Sequence, residues 1–145
     1  MIPQPFDTFL NKRTVRKITP DRARANFLIN ESDTTLTGLK ERLDKIGINE
    51  NNANSIIKDC YDILMEIIRA KMLLDGFSAS GLNAHEAEVS YLKKLDFQDK
   101  EVSFINELRY FRNSVTYYGK LLDKSYAQKV VDFLLKNHKI IRGLV

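Results

Sequence analysis

The residues best suited to chemistry lie together in one short segment, Leu108 to Lys120, which reads LRYFRNSVTYYGK. An arginine guanidinium presents several N–H donors in one plane and can bind an oxyanion with two hydrogen bonds. Asparagine, threonine and tyrosine add further hydrogen-bonding groups, and tyrosine adds a ring. The segment predicts a surface that binds an anionic ligand. The candidate binding residues are Arg109, Arg112, Asn113, Thr116 and Tyr117.

Arg112 has an unusual position in the helix that this segment is predicted to form. At about 100° per residue, it falls at the border of the apolar stripe. A charge at the edge of a core is unfavourable by several kcal/mol unless it is paired. Asp62 and Glu66, one turn apart in an earlier predicted helix, are the candidate supporting carboxylates. We expect one of them to pair with Arg112; the alternative is that Arg112 extends its charged end to water.

A second strip of polar and aromatic residues lies roughly opposite the apolar stripe of the same helix. Tyrosine and asparagine are common at protein interfaces, and tyrosine rings also stack on unpaired bases. The strip therefore predicts a dimer interface, with base stacking as the alternative. Its residues are Asn106, Tyr110, Asn113 and Tyr117.

The elements that carry these residues are predicted to be helices. Apolar residues recur at helical spacing in four long segments, and no stretch alternates strongly. This pattern predicts an all-α fold, an antiparallel up-and-down bundle of four to five helices. Residues 18–145 are predicted to form this bundle, and residues 1–17 a loosely attached basic arm. The first predicted helix runs from its N-cap, Thr19, to Gly47, and the second begins within 49–55 and ends at Gly76. The other three are predicted over 84–95, 96–119 and 122–142.

Composition bounds the class of protein. A chain of 145 residues, 43% of them hydrophobic, can bury the core of one domain. A single cysteine, Cys60, excludes an internal disulfide and favours a reducing compartment. With no Cys/His cluster we expect no metal site, and we expect no other cofactor. The chain has no apolar leader and no membrane-spanning run, so we expect a soluble, cytoplasmic protein.

The positive charge is concentrated at the two ends of the chain. Residues 1–30 and 120–145 each carry a net charge of +4, whereas the residues between them carry −4. If the two ends lie close together, they present a positive surface of the kind that binds nucleic acid. The alternative is an ordinary solvated surface that keeps the protein in solution.

The segment ELRYFRNSVTYYGK, together with the upstream GFSASGLNAHEAEVSYL, resembles the HEPN superfamily of small helical bundles. The signature of that family is an arginine, usually followed by asparagine or another polar residue, then three residues and a histidine. Arg112 and Asn113 fit this pattern. His85 is similar to a histidine that many prokaryotic members carry before their third helix. The resemblance covers about residues 50–142.

The resemblance implies a homodimer in which two motif helices meet around a shared cleft. Active HEPN members are metal-independent ribonucleases, often the toxin of a toxin–antitoxin pair whose partner is a minimal nucleotidyltransferase. In those members the histidine acts on the ribose 2′-hydroxyl and the arginine stabilises the phosphate. Here Tyr117 stands where the histidine belongs, and a phenol with a pKa near 10 is a poor base at neutral pH.

Three hypotheses follow from this substitution. The first is a catalytically impaired, HEPN-like homodimer that binds RNA or a nucleotide around Arg112 and Asn113 and acts with a protein partner. The second is an active endoribonuclease in which Tyr117 or His85 replaces the missing histidine. The third is a purely structural interaction module.

Overall fold

The structure is a computed structural model of the 145-residue chain. It describes residues 1–118 and 122–145, and for residues 113–118 it describes the backbone alone. The described part is mostly helical, which confirms the predicted all-α class. In chain order its elements are α1 (Phe6–Asn11), β1 (Val15–Lys17), α2 (Arg22–Lys45), α3 (Ala53–Leu74), β2 (Phe77–Ala79), α4 (Ala84–Lys94), α5 (Asp99–Tyr118) and α6 (Lys124–Arg142).

Helix α3 is the central element, as its broad apolar face predicts. It packs against α2, α4, α5 and α6. Cys60 is fully buried in it, and burial raises the pKa of this thiol to about 12. Other fully buried side chains of α3 form a nearly continuous apolar surface: Ile56, Ile57, Ile63, Leu64, Ile67 and Ile68.

Aspartates cap two of the long helices. The side chain of Asp21 accepts a hydrogen bond from the backbone N–H of Arg24, so the N-cap of α2 lies two residues after the predicted cap at Thr19. Asp123 accepts one from Tyr126 at the start of α6. None of the described helices combines the length and the apolar character needed to cross a membrane.

The N-terminal segment is not the loose arm that its composition predicts. Phe6, Phe9 and Val15 are each at most 3% exposed and belong to the main core. The ring of Phe6 lies 5.3 Å from that of Phe77 and 4.8 Å from that of Tyr91, measured between centroids. Residues 1–17 are therefore fixed to the bundle by apolar side chains that lie between the basic ones.

The same segment forms a small antiparallel sheet with the turn that follows α3. Val15 pairs with Ala79 and Lys17 with Phe77. Gly76, with φ at +87°, makes the turn into β2, and its carbonyl oxygen accepts a hydrogen bond from the N–H of Ile18. This sheet joins the start of the chain to the connection between α3 and α4.

Candidate functional site

Helix α5 carries the predicted motif, and the structure describes its side chains as far as Arg112. Arg109 is half-buried, Tyr110 is 50% exposed and Arg112 is half-buried. The predictions for Asn113, Thr116 and Tyr117 concern side chains that lie outside the described residues. The described part of the site therefore consists of the motif residues up to Arg112 and of the helices that face them.

Arg112 faces the polar edge of α3. Burial raises the pKa of Asp62, and the positive charges of Lys58 and Arg112 both act to lower it. Lys58 and Asp62 are four residues apart, so they lie on the same face of α3, one turn from each other. Arg112 is thus within electrostatic reach of Asp62, one of its two predicted partners.

Glu66, the other predicted partner, lies among different charges. Burial raises its pKa to about 7, and the carboxylates of Asp62 and Glu31 raise it further. The guanidinium of Arg69 acts in the opposite direction. These surroundings favour Asp62 over Glu66 as the carboxylate that holds Arg112.

A surface pocket of about 190 Å³ opens beside Arg112. We call it the Arg112 pocket. Two of its residues, Lys58 and Arg112, are cations, and Asn54 also accepts a hydrogen bond from the backbone N–H of Leu122 at 3.1 Å. That hydrogen bond holds Leu122, which precedes α6, at the edge of the pocket. The lining residues are Asn54, Ser55, Ile57, Lys58, Arg112 and Leu122.

Asn106 does not lie in the exposed strip to which its helical spacing assigns it. It is 2% exposed, because the N-terminal segment covers it. Its side-chain amide donates to the carbonyl oxygen of Met1 at 3.1 Å, and its Oδ1 accepts from Nε of Arg109 at 2.9 Å. Asn106 therefore orients Arg109, and it cannot itself line a subunit interface while Met1 stays in place.

His85 lies in the first turn of α4 and contacts α3. Its Nδ1 is 3.1 Å from the hydroxyl of Tyr61, which is itself buried. Burial raises the pKa of Tyr61, so the phenol keeps its proton at neutral pH and can donate it. When the Tyr61 hydroxyl donates to Nδ1, the ring hydrogen of His85 is on Nε2, from which it can be donated to a ligand.

An ion pair that the sequence analysis missed lies one helix turn further along α4. The carboxylate of Glu88 is almost fully buried and accepts two hydrogen bonds from Arg69 of α3, from Nε at 2.6 Å and from Nη2 at 3.1 Å. These bonds raise the pKa of Arg69. The sequence held a signal for this pair, because Glu88 precedes the buried Leu92 by four residues and so faces inward.

The described residues provide hydrogen-bond donors and cations for an anionic ligand. No three His, Cys, Asp or Glu side chains of the described residues lie together in a way that could hold a metal ion. Comparison of the chain with protein-family models, curated proteins and solved structures found no match. The HEPN interpretation therefore depends on the motif residues themselves.

Proposed function

We propose that this chain is a HEPN-like homodimer that binds single-stranded RNA or a nucleotide around Arg112 and Asn113 and acts with a protein partner. The observation that carries the proposal is the position of Arg112 beside a small pocket, facing Asp62 and accompanied by Lys58. A minimal nucleotidyltransferase is the partner that the HEPN resemblance implies.

The chemistry of the Arg112 pocket suits a phosphodiester. A carboxylate that faces a guanidinium restricts its orientation, so less conformational entropy is lost when the guanidinium binds phosphate. Lys58 adds a second, mobile positive charge on the exposed side of the pocket. The amide of Asn54 is already engaged with the backbone of Leu122, so it defines the wall of the pocket.

Binding is better supported than catalysis. General acid–base chemistry at neutral pH needs a group whose pKa lies near 7, and Tyr117 is a phenol in the place of the family's histidine. The hydrogen bond between His85 and Tyr61 favours a donor role for Nε2 of the neutral ring. An endoribonuclease that uses His85 or Tyr117 is the second candidate, and its specific support is that Tyr61 holds His85 in one orientation.

The proposal is tested by measuring the affinity of a labelled single-stranded RNA over a range of salt concentrations. Lys58→Ala and Lys45→Ala are a matched pair, because both side chains are exposed on helices and only Lys58 lines the Arg112 pocket. We expect Lys58→Ala to weaken binding several-fold and to reduce the salt slope by about 0.7, the contribution of one phosphate contact in a single strand. Lys45→Ala should leave both unchanged.

Arg112 is tested with two variants, because it is half-buried and its removal can also affect folding. Arg112→Lys keeps the charge and loses the planar donor pair, and Arg112→Ala loses both. Affinity should fall in the order wild type, Arg112→Lys, Arg112→Ala, while circular dichroism shows that each variant is folded. Equal affinities of folded variants would contradict the proposal. Cleavage of the RNA in EDTA by wild type, absent in Arg112→Ala, would favour the ribonuclease instead.

A further inference from the structure

A second cavity, of about 280 Å³, lies at the other end of α3's polar edge. We call it the Arg24 pocket. It is enclosed by the first turn of α2, by β2 and by the first turn of α4, and it shares no lining residue with the Arg112 pocket. Its lining includes Arg24, Arg69, Phe77, Ser78, His85 and Glu88.

The guanidinium of Arg69 is held at one wall of this cavity. Glu88 is 1% exposed and accepts from Nε and Nη2, so it binds one edge of the planar group. The hydrogens of Nη1 lie at the opposite end of that plane. The side chain of Arg69 is still 30% exposed. A buried carboxylate thus fixes an arginine whose remaining donors are accessible from the cavity.

A second arginine lines the cavity, and a third lies on the neighbouring sheet. Arg24 is exposed in the first turn of α2 and lines the pocket directly. Arg16 pairs with Ser78 across the sheet, and its Nη2 donates to the hydroxyl of Ser80 at 3.3 Å. Arg16 and Ser78 therefore stand on the same face of the sheet. Two guanidinium groups, those of Arg24 and Arg69, line the cavity together with the buried carboxylate of Glu88, which leaves a net charge of about +1.

We propose that the Arg24 pocket binds a phosphate monoester, either on a free nucleotide or at the 5′ end of an RNA. A phosphate monoester carries a charge close to −2 at neutral pH and offers three acceptor oxygens, which suits the positive charge and the donors of this cavity. Ser78 and the Nε2–H of His85 supply further donors. The volume lies at the lower end of the range for small-molecule sites, which suits a ligand no larger than a mononucleotide.

The apolar part of the lining suits the remainder of such a ligand. Met72 and Leu73 of α3 and Phe77 of β2 border the cavity beside the charged residues. Phe77 is half-buried, and its ring is held by those of Phe6 and Tyr91 at 5.3 and 5.8 Å. A fixed aromatic and aliphatic wall next to guanidinium groups resembles in chemistry the sites that hold a base or sugar next to its phosphate.

The test uses isothermal titration of the full chain with AMP, adenosine, and a pentauridylate with either a 5′-phosphate or a 5′-hydroxyl. Arg24→Ala and Arg22→Ala are the matched variants, since both arginines are exposed in the same turn of α2 and only Arg24 lines the pocket. We expect AMP to bind, adenosine not to bind, and Arg24→Ala to weaken AMP about tenfold or more, as loss of a charge-assisted hydrogen bond does. Arg22→Ala should change affinity less than twofold.

The oligonucleotides identify the source of the phosphate. A 5′-phosphorylated pentauridylate that binds much more tightly than AMP indicates an RNA end, and equal affinities indicate a free nucleotide. AMP is titrated into Arg24→Ala and Arg112→Ala separately: loss of affinity in Arg24→Ala assigns AMP to the Arg24 pocket, and loss in Arg112→Ala alone assigns it to the Arg112 pocket and overturns this inference. The inference is overturned if no probe binds at millimolar concentration, if adenosine binds as well as AMP, or if Arg22→Ala weakens binding as much as Arg24→Ala does.

Discussion

At the scale of single residues, the molecule places its charges along one edge of its most apolar helix. Lys58, Asp62, Glu66 and Arg69 follow each other at spacings of four, four and three residues, so they form one stripe along α3. Lys58 lines the Arg112 pocket and Arg69 lines the Arg24 pocket. At 1.5 Å per residue the two are about 16 Å apart along the helix axis. The polar edge therefore connects both proposed anion sites.

Glu66 is the residue of this stripe whose charge the fold disfavours. Its pKa is raised from the ordinary 4.5 to about 7, first by burial and then by Asp62 and Glu31. Between these pH values the folded chain binds a proton that the unfolded chain has released. Stability contributed by Glu66 is therefore lost as pH rises from 4.5 to 7. Glu66→Gln should increase the free energy of unfolding at pH 8 and change it little at pH 4.5.

The measurement is urea denaturation of wild type and Glu66→Gln at both pH values. Glu41→Gln, which makes the same change at an exposed position of α2, is the control and should alter stability only slightly at either pH. A Glu66→Gln effect of the same size at pH 4.5 and pH 8 would show that the substitution acts through packing and not through the charge.

At the scale of elements, the long helices could be predicted and the short segments could not. The apolar periodicity of α3, α5 and α6 extends over at least five turns, so it is read with little ambiguity. The strands β1 and β2 are three residues each, too short to show an alternating pattern. Helix α1 has six residues and contributes two buried side chains, Phe6 and Phe9, within a basic, polar segment. Its attachment depends on partners distant in sequence.

The same difference between local patterns and partners distant in sequence explains which parts of the candidate site could be predicted. A cation at the edge of an apolar stripe needs a carboxylate, and from the sequence alone this requirement points from Arg112 to Asp62 or Glu66. The same argument applies to Arg69 and Glu88, because Glu88 lies four residues before the inward-facing Leu92 and so needs a cation as its partner. Asn106 could not be assigned correctly, because the residue that covers it, Met1, lies 105 positions away. Helical spacing alone says nothing about a covering segment from elsewhere in the chain.

The turn between α3 and β2 gives a prediction at this scale. Gly76 has φ of +87°, and a Cβ added there would lie 3.0 Å from the carbonyl oxygen of Ile18. Gly81 has a similar φ of +79°, but among the described residues a Cβ there would have no neighbour within 4 Å. Both alanine substitutions incur about 1 kcal/mol of left-handed strain. Gly76→Ala should destabilise the chain further, because the backbone of the strand connection must move.

Thermal unfolding of the two variants measures the difference. We expect a lower Tm for Gly76→Ala than for Gly81→Ala, with the gap due to the contact with Ile18. Equal Tm values would mean that residues 15–18 shift at negligible cost, and the small sheet would then contribute little to holding the N-terminal segment.

At the scale of the whole molecule, the C-terminal end of the chain lies beside the basic start of α2. Val145 packs beside the apolar cluster of Ala25 and Ile29 in the first half of α2, close in sequence to Arg24. Arg142, at the end of α6, also bonds to Asp33 of α2 through Nε and Nη2. The basic start of α2 and the C-terminus of the chain thus meet, whereas the basic residues of 12–17 lie beside α1 and in the small sheet. Such a surface attracts polyanions over distances up to the Debye length.

The proposed dimer gives the last prediction. Tyr110 is 50% exposed on α5, two residues before the end of the described side chains, and it belongs to the strip predicted to meet a second subunit. Leu135 of α6 is 48% exposed and outside that strip. A charge placed in an interface loses its hydration without gaining a partner, so Tyr110→Glu should yield a monomer in analytical ultracentrifugation. Leu135→Glu should sediment like the wild type, which we expect to be a dimer. A Tyr110→Glu protein that remains dimeric but binds RNA less well would instead assign Tyr110 to the ligand cleft, and a monomeric wild type would exclude the shared cleft altogether.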